Sequence, residues 1–248
     1  MVEWLRVGFI HGVMNTDNTA ISGETIDFGP CAMMGSYHPA TVYSSIDTQG
    51  RYAFGNQPNI AIWNLTRLAE CLLPLVNDDE KSAIASLEPL LIAYTEQFEQ
   101  AYFSMMGAKV GLSAVNLKDR ELIEALLEFM QNLKLDYTQT FAALTQCVVS
   151  PNPMSPLPED CDEWFTLWSE RISNSENPAE LMQNTNPIVI PRNHHVEAVL
   201  KLAEETGSIE AVDQFLEVLR SPYSEQTNTK QYQDSLNDEA GYQTFCGT

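Results

Sequence analysis

From Asn59 onward, apolar side chains recur at steps of three and four, and this spacing constrains the fold more than any other feature of the chain. Ile62, Leu65, Leu68, Leu72 and Leu75 make one such stripe, the pattern of a helix with a single buried face. Asn77-Asp78-Asp79-Glu80 follows and predicts a helix start, because side-chain acceptors and early acids suit the free N–H groups and dipole there. That acidic run reads as a cap and not as a metal site. The next stripe is Ile84, Leu87, Leu91, Tyr94, Phe98, Ala101 and Met105. Pro89 lies within it and predicts either a kink or a helix that begins at Pro89. Further helices are expected over 118–133, 137–148 and 160–173, the last with Trp164, Trp168 and Ile172 on a core-facing side. Prolines make 151–158 a loop, and 174–192 reads as irregular. Asn193 is expected to cap a helix ending at Gly207, and Ser208 another ending before Pro222.

The N-terminal portion lacks this periodicity. Residues 2–10 read as the end of an apolar helix. Residues 11–30 read as loop, short strand and turn, broken by Gly12, Gly23, Gly29 and Pro30. Residues 31–58 carry Gly35, Pro39, Gly50, Gly55 and Pro58 and read as an extended, loop-rich segment. From Tyr223 the chain is polar and poor in aliphatics, so a tail that wraps or frays is expected. The fold class is therefore mainly α (α+β), divided as a loop-rich segment 1–58, a helical body 59–222 and a tail 223–248.

With 248 residues, 44% hydrophobic and 19% charged, the chain has the composition of a soluble globular protein with ample core. No apolar run approaches the roughly 18–20 residues of a membrane span. Nothing addresses the chain elsewhere, so a cytoplasmic location is expected. Acidic residues number 34 against 13 basic ones, a net charge of −21. Such a field repels nucleic-acid backbones and anionic membranes. It does not exclude a nucleotide whose phosphates are neutralised by divalent cations. The five cysteines show no zinc spacing and point to a reducing compartment. Cys71 and Cys147 fall on apolar helical faces and read as buried thiols. Cys246, on the tail, reads as accessible.

One block carries chemistry. His11-Gly-Val-Met-Asn-Thr-Asp-Asn18 is followed by Asp27-Phe28-Gly29. The pair resembles the metal-binding half of a protein kinase site, where a loop of form H-R-D-x-x-x-x-N supplies a base and a metal-ligating Asn, and D-F-G supplies a second ligand. His11 and Asn18 keep the kinase spacing, Val13 stands where the catalytic Asp belongs, and an acid returns at Asp17. His11 itself reads as structural. His194 and His195 are adjacent on a helix, are expected to point in different directions, and carry no metal role in this reading.

Taken with Thr25-Ile-Asp-Phe-Gly-Pro30, Asp47-Thr-Gln-Gly-Arg-Tyr52, Gly55-Asn-Gln-Pro58, Trp63-Asn64-Leu65, Pro191-Arg192-Asn193, Leu216-x-x-Leu219-x-x-Pro222-Tyr223 and Cys246-Gly-Thr248, the block resembles the selenoprotein O (SelO/YdiU) family along almost the whole chain. The resemblance implies a protein-kinase-like C-lobe with a helical C-terminal extension. It also implies a pseudokinase that transfers AMP from ATP to Ser, Thr or Tyr hydroxyls of proteins, with Mg²⁺ or Mn²⁺. By the same resemblance Asp17 is the base, Asn18 and Asp27 hold the cation, and Asp27 also lies against the nucleotide. A redox cysteine is implied at Cys246, with Cys31 as its candidate partner.

Family members carry an N-terminal lobe with a Gly-rich loop and a phosphate-contacting lysine, and neither can be placed before His11. The chain therefore reads as the C-terminal half of such a protein, not competent alone and dependent on the missing lobe as partner. Two other readings stand beside it: a kinase-like phosphotransferase, against which the displaced acid argues, and a non-catalytic, redox-sensitive helical interaction module.

Overall fold

The computed structural model describes residues 1–150, 154–234 and 241–245. A short helix, α1 (Val2–Val7), ends at Gly8 in the left-handed region and leads into β1 (Phe9–Ile10). β1 pairs antiparallel with β2 (Ala32–Met33), Phe9 opposite Met33 and Ile10 opposite Ala32. The body is helical: α2 (Gln57–Val76), α3 (Glu80–Lys109), α4 (Leu117–Asn132), α5 (Tyr137–Val149), α6 (Asp162–Ile172), α7 (Pro178–Thr185), α8 (Asn193–Thr206) and α9 (Glu210–Leu219). No helix among the described residues is long and apolar enough to cross a membrane.

The main core gathers Leu5, Ile10 and Met34 from the N-terminal portion against Met106, Leu126, Phe141, Leu144 and Trp168 from the helices. Trp164 and Trp168 are core residues as expected. Their rings stack at 5.6 Å, and each indole N–H donates to a backbone carbonyl, of Leu122 and Val110 respectively. Buried aromatic N–H groups need such partners. Lys109 is also inside, its Nζ donating to the Arg6 carbonyl at 2.9 Å and lying 4.0 Å from the centre of the Phe141 ring. It closes the last turn of α1, where carbonyls lack helical partners. Burial drives its pKa well below the ordinary lysine value.

Several expectations are corrected. The stripe at Leu68, Leu72 and Leu75 is exposed rather than buried, and Ile84 with it. α2 and α3 pack on each other, and the stripe sinks into the core toward Met105 and Met106. Cys71, on that far half, is exposed, whereas Cys147 is buried. α3 begins at Glu80 and continues through Pro89, with Asp79 accepting from Ser82 N as its cap. The segment read as irregular contains α7. Asn177 turns the chain in the left-handed region, and Pro178 occupies the first turn, where a missing N–H is no loss. Met182 then anchors the helix in the core. Asn193 is the first residue of α8 and not its cap. Ser208 accepts from Glu210 N at 3.3 Å at the start of α9.

The tail wraps. Thr229 and Tyr232 are buried in a 3₁₀ turn, Tyr232 joining Val189, Phe215 and Val218 in a satellite core. Residues 241–245 return to the N-terminal portion, where Thr244 bridges Ser44 in parallel.

Candidate active site

β1 and β2 set the site by delivering two loops side by side. His11 follows β1, and Pro30 closely precedes β2. Gly12 has φ +85°, and a Cβ placed there would lie 2.5 Å from the Pro30 carbonyl oxygen. Only glycine lets the His11-Gly12 turn lie directly on the Asp-Phe-Gly-Pro turn.

His11 clasps the two loops together. It is fully buried, and its Nε2 donates to the Ile26 carbonyl at 2.8 Å while Nδ1 accepts from Val13 N at 3.4 Å. Those partners require the neutral ring with its proton on Nε2. Its backbone N–H donates to Gln57 Oε1 at 3.0 Å, and Gln57 Nε2 donates to the Phe9 carbonyl. Trp4 Nε1 donates to Thr25 Oγ1 at 2.9 Å, and Phe9 meets Phe28 edge to face. Residues 25–28 are thus fastened at three points.

The second loop is held from below. Val13 and Met14 are buried with Tyr52 and Ile60. Asn64 Nδ2 donates to the Met14 carbonyl at 3.1 Å and to Thr19 Oγ1 at 2.8 Å, and Tyr52 OH donates to Asn15 Oδ1 at 2.6 Å. Asp47 holds Tyr52 in place by accepting from the Arg51 and Tyr52 N–H groups, both at 2.8 Å. Above this floor a 3₁₀ turn, Thr16–Asn18, presents Asp17 to solvent. Asn18 Nδ2 donates to the Val13 carbonyl at 3.2 Å, which leaves the amide oxygen as the atom turned to other partners.

Asp27 is exposed and takes φ 55°, a conformation Asp tolerates better than most residues. Its Oδ1 accepts from Gly29 N at 3.4 Å. Asp17, Asn18 and Asp27 therefore project from two turns locked together by His11 and Gly12. All three offer hard oxygen donors, the type that Mg²⁺ and Mn²⁺ take.

Beside the Asp-Phe-Gly turn lies a cleft of about 600 Å³, lined among others by Phe28, Gly29, Cys31, Pro191, Leu200, Thr244 and Phe245. Cys31 is half-buried, and burial pushes its thiol pKa up. Cys246 lies outside the described residues, as does any pairing with Cys31. The tail forms one wall: Thr244 N donates to the Tyr43 carbonyl, Ser45 N donates to the Thr244 carbonyl, and Thr244 Oγ1 donates to the Pro30 carbonyl at 2.6 Å.

α8 forms another wall and is fixed at its start. Arg192 makes a two-pronged, buried pair with Asp136, at 2.8 and 3.0 Å. The expected divergence of His194 and His195 does not occur. Their rings lie 4.1 Å apart, and both Nε2 atoms face Asp234, at 3.4 and 2.6 Å. Rotamer freedom brings neighbouring side chains to one point when an outside carboxylate gathers them.

Gln57, Asn64 and Thr244 were not singled out as functional in the sequence, yet each fixes a site loop. Gln57 and Asn64 do stand inside the quoted motifs, Gly55-Asn-Gln-Pro58 and Trp63-Asn64-Leu65. A polar residue facing inward at a helix start is the signal that could have marked Gln57.

Residues 1–220 match the family model described as "Protein adenylyltransferase SelO". Among curated proteins, the "Protein nucleotidyltransferase YdiU" of Teredinibacter turnerae is 49% identical over 99% of this chain and 52% of its own length. That of Pseudoalteromonas translucida is 48% identical over 100% of this chain and 52% of its own length. The Bacillus cereus protein of the same name is 45% identical over 100% and 52%. The chain thus spans about half the length of the curated relatives it matches.

Proposed function

This chain belongs to the protein adenylyltransferase SelO family, and we propose that it is the kinase-like C-lobe of a protein that transfers AMP from ATP to protein Ser, Thr or Tyr hydroxyls. Residues 1–58 would carry the catalytic loop, Asp-Phe-Gly turn and activation-like segment, 59–222 the helical lobe and extension, and 223–248 the tail. The observation that carries this reading is the His11 clasp, which holds the Asp17-Asn18 turn and the Asp27 turn as one unit.

Asp17 would take the proton of the attacking hydroxyl. The hydroxyl oxygen forms a bond to the α-phosphorus, the bond from that phosphorus to the bridging oxygen breaks, and pyrophosphate leaves. The free amide oxygen of Asn18 and the open carboxylate of Asp27 fit a hard divalent cation, Mg²⁺ or Mn²⁺. When bound, such an ion neutralises phosphate charge, the main requirement of transfer at phosphorus. Asp17, next to Asn18 in the chain and exposed, is open to an incoming hydroxyl.

Nucleotide clamping falls to a lobe in the further length that the relatives have, so this chain alone is expected to bind Mg²⁺–ATP weakly and to transfer nothing. Cys31, in the cleft walled by the tail, supports a redox role shared with Cys246.

The test uses the complete protein with ATP labelled on the α- or the γ-phosphate. Label from the α-phosphate is expected on protein, and Asp17→Ala is expected to abolish it with the circular dichroism spectrum unchanged. Transfer of γ-label instead, or full activity of Asp17→Ala, overturns the reading.

A further inference from the structure

Away from the candidate active site, the first turn of α8 and the tail bring together three metal-ligating side chains. The ligand atoms of His194, His195 and Asp234 all lie within 4.8 Å of one another. His194 is the unexplained member. Both of its ring nitrogens are buried without a hydrogen-bond partner, because the 3.4 Å contact to Asp234 lacks hydrogen-bond geometry. Buried polar atoms are nearly always satisfied, and an orphan in a ligand-rich corner calls for a partner such as an ion or an ordered water.

We propose that His194, His195 and Asp234 form a binding site for a borderline transition-metal dication of the Zn²⁺ class, with a fourth position open to water.

The donor set fits that class. Imidazole nitrogens with one carboxylate suit Zn²⁺ and its neighbours better than Mg²⁺ or Ca²⁺, which take oxygen. Bonds of about 2.0–2.2 Å in a tetrahedron place ligand atoms about 3.3–3.6 Å apart. His194 Nε2 stands 3.4 Å from Asp234 Oδ2 and His195 Nε2 stands 2.6 Å from Asp234 Oδ1, two different oxygens, so Asp234 has to shift for one oxygen to bond an ion that both rings share. Asp234 is more than half exposed and lies outside any helix, so it can make that movement. The floor is apolar: the Tyr232 ring lies 5.2 Å from that of His195, and Tyr232 packs with Phe215 and Val218. A dry floor strengthens charge interactions above it. The consequence is a latch that ties the tail to α8, distinct from the oxygen donors at Asp17, Asn18 and Asp27.

Co²⁺ serves as the spectroscopic probe on the full chain after chelator treatment. Visible absorption of tetrahedral intensity is expected, saturating at one equivalent and displaced by Zn²⁺. His194→Ala and His195→Ala are each expected to weaken binding about tenfold to 100-fold or more, and Asp234→Asn likewise. His38→Ala, on a different loop, is expected to leave it unchanged, and circular dichroism reports that each variant folds. Absence of saturable absorption, or absorption that survives loss of both histidines in a folded chain, overturns the proposal. Neither result bears on AMP transfer.

Discussion

Asn193 holds Met33 the way a neighbouring strand would: Met33 N donates to Asn193 Oδ1 at 2.9 Å, and Asn193 Nδ2 donates to the Met33 carbonyl at 3.0 Å. One side chain from α8 thus continues the sheet beyond β2, next to the cleft and the Asp-Phe-Gly turn. Asn193→Ala leaves a buried donor and a buried acceptor unmatched, at a cost of roughly 1–3 kcal/mol each. A loss of about 2–4 kcal/mol is expected in urea denaturation. A change within experimental error would remove this contact from the list of what holds β2.

Gly12→Ala and Gly23→Ala separate crowding from backbone strain. Both glycines have positive φ, +85° and +79°, but only a Cβ at Gly12 meets anything, the Pro30 carbonyl. Gly23→Ala is expected to cost about 1–2 kcal/mol. Gly12→Ala should exceed it by a further 1–3 kcal/mol or so and should part the two site loops. Equal thermal shifts for the two variants would contradict the close approach.

His11 gives a sharper test of the clasp. His11→Ala unpairs the Ile26 carbonyl and the Val13 N–H together, and about 2–4 kcal/mol of stability should go with them. Hydrogen exchange should quicken at residues 12–18 and 25–29 more than in α4 or α6. Uniform quickening would mean that the ring supports the whole fold and not the two loops.

Much of the helical body was legible because periodicity and caps are local signals: Asp79, Gly207 and the Trp164–Trp168 pair stand where spacing put them. The failures have physical causes. Residues 174–192 read as irregular, yet Pro178 stands in the first turn of α7, where a proline breaks nothing. The Leu68–Leu75 stripe obeys helical spacing but is exposed, because spacing says nothing of cover. Asn193, Gln57 and Thr244 were opaque because their partners lie 160, 46 and 214 residues away in sequence. At the candidate site the residue types were readable, whereas the side chains that immobilise them were not.

Asp119 predicts acid behaviour. Its carboxylate accepts from Arg171 Nε at 2.6 Å, from Arg171 Nη2 at 3.0 Å and from Asn116 N at 2.9 Å. Burial opposes the charge, but the Arg171 hydrogen bonds, the Asn116 N–H and the Arg171 charge together outweigh it, and the carboxyl titrates below its usual range. A depressed folded pKa means the unfolded chain takes the proton first. Its contribution is therefore complete above about pH 4 and is lost as pH falls through the folded value. Asp119→Asn is expected to lower stability at neutral pH by about 1–3 kcal/mol and to flatten the loss as pH falls below about 4. An unchanged acid slope would show that other carboxylates set it.

The Thr244 hydroxyl that closes on the Pro30 carbonyl has a consequence for how the protein is made. Synthesis runs from the N-terminus, so the two loops leave the ribosome long before the residue that completes one wall of their cleft. Until then the Pro30 carbonyl lacks the Thr244 hydroxyl, and Tyr43 and Ser45 lack their bridge to Thr244. Assembly of that wall therefore trails the Pro30 loop by 214 residues of synthesis, and the cleft is whole only once translation has passed Thr244.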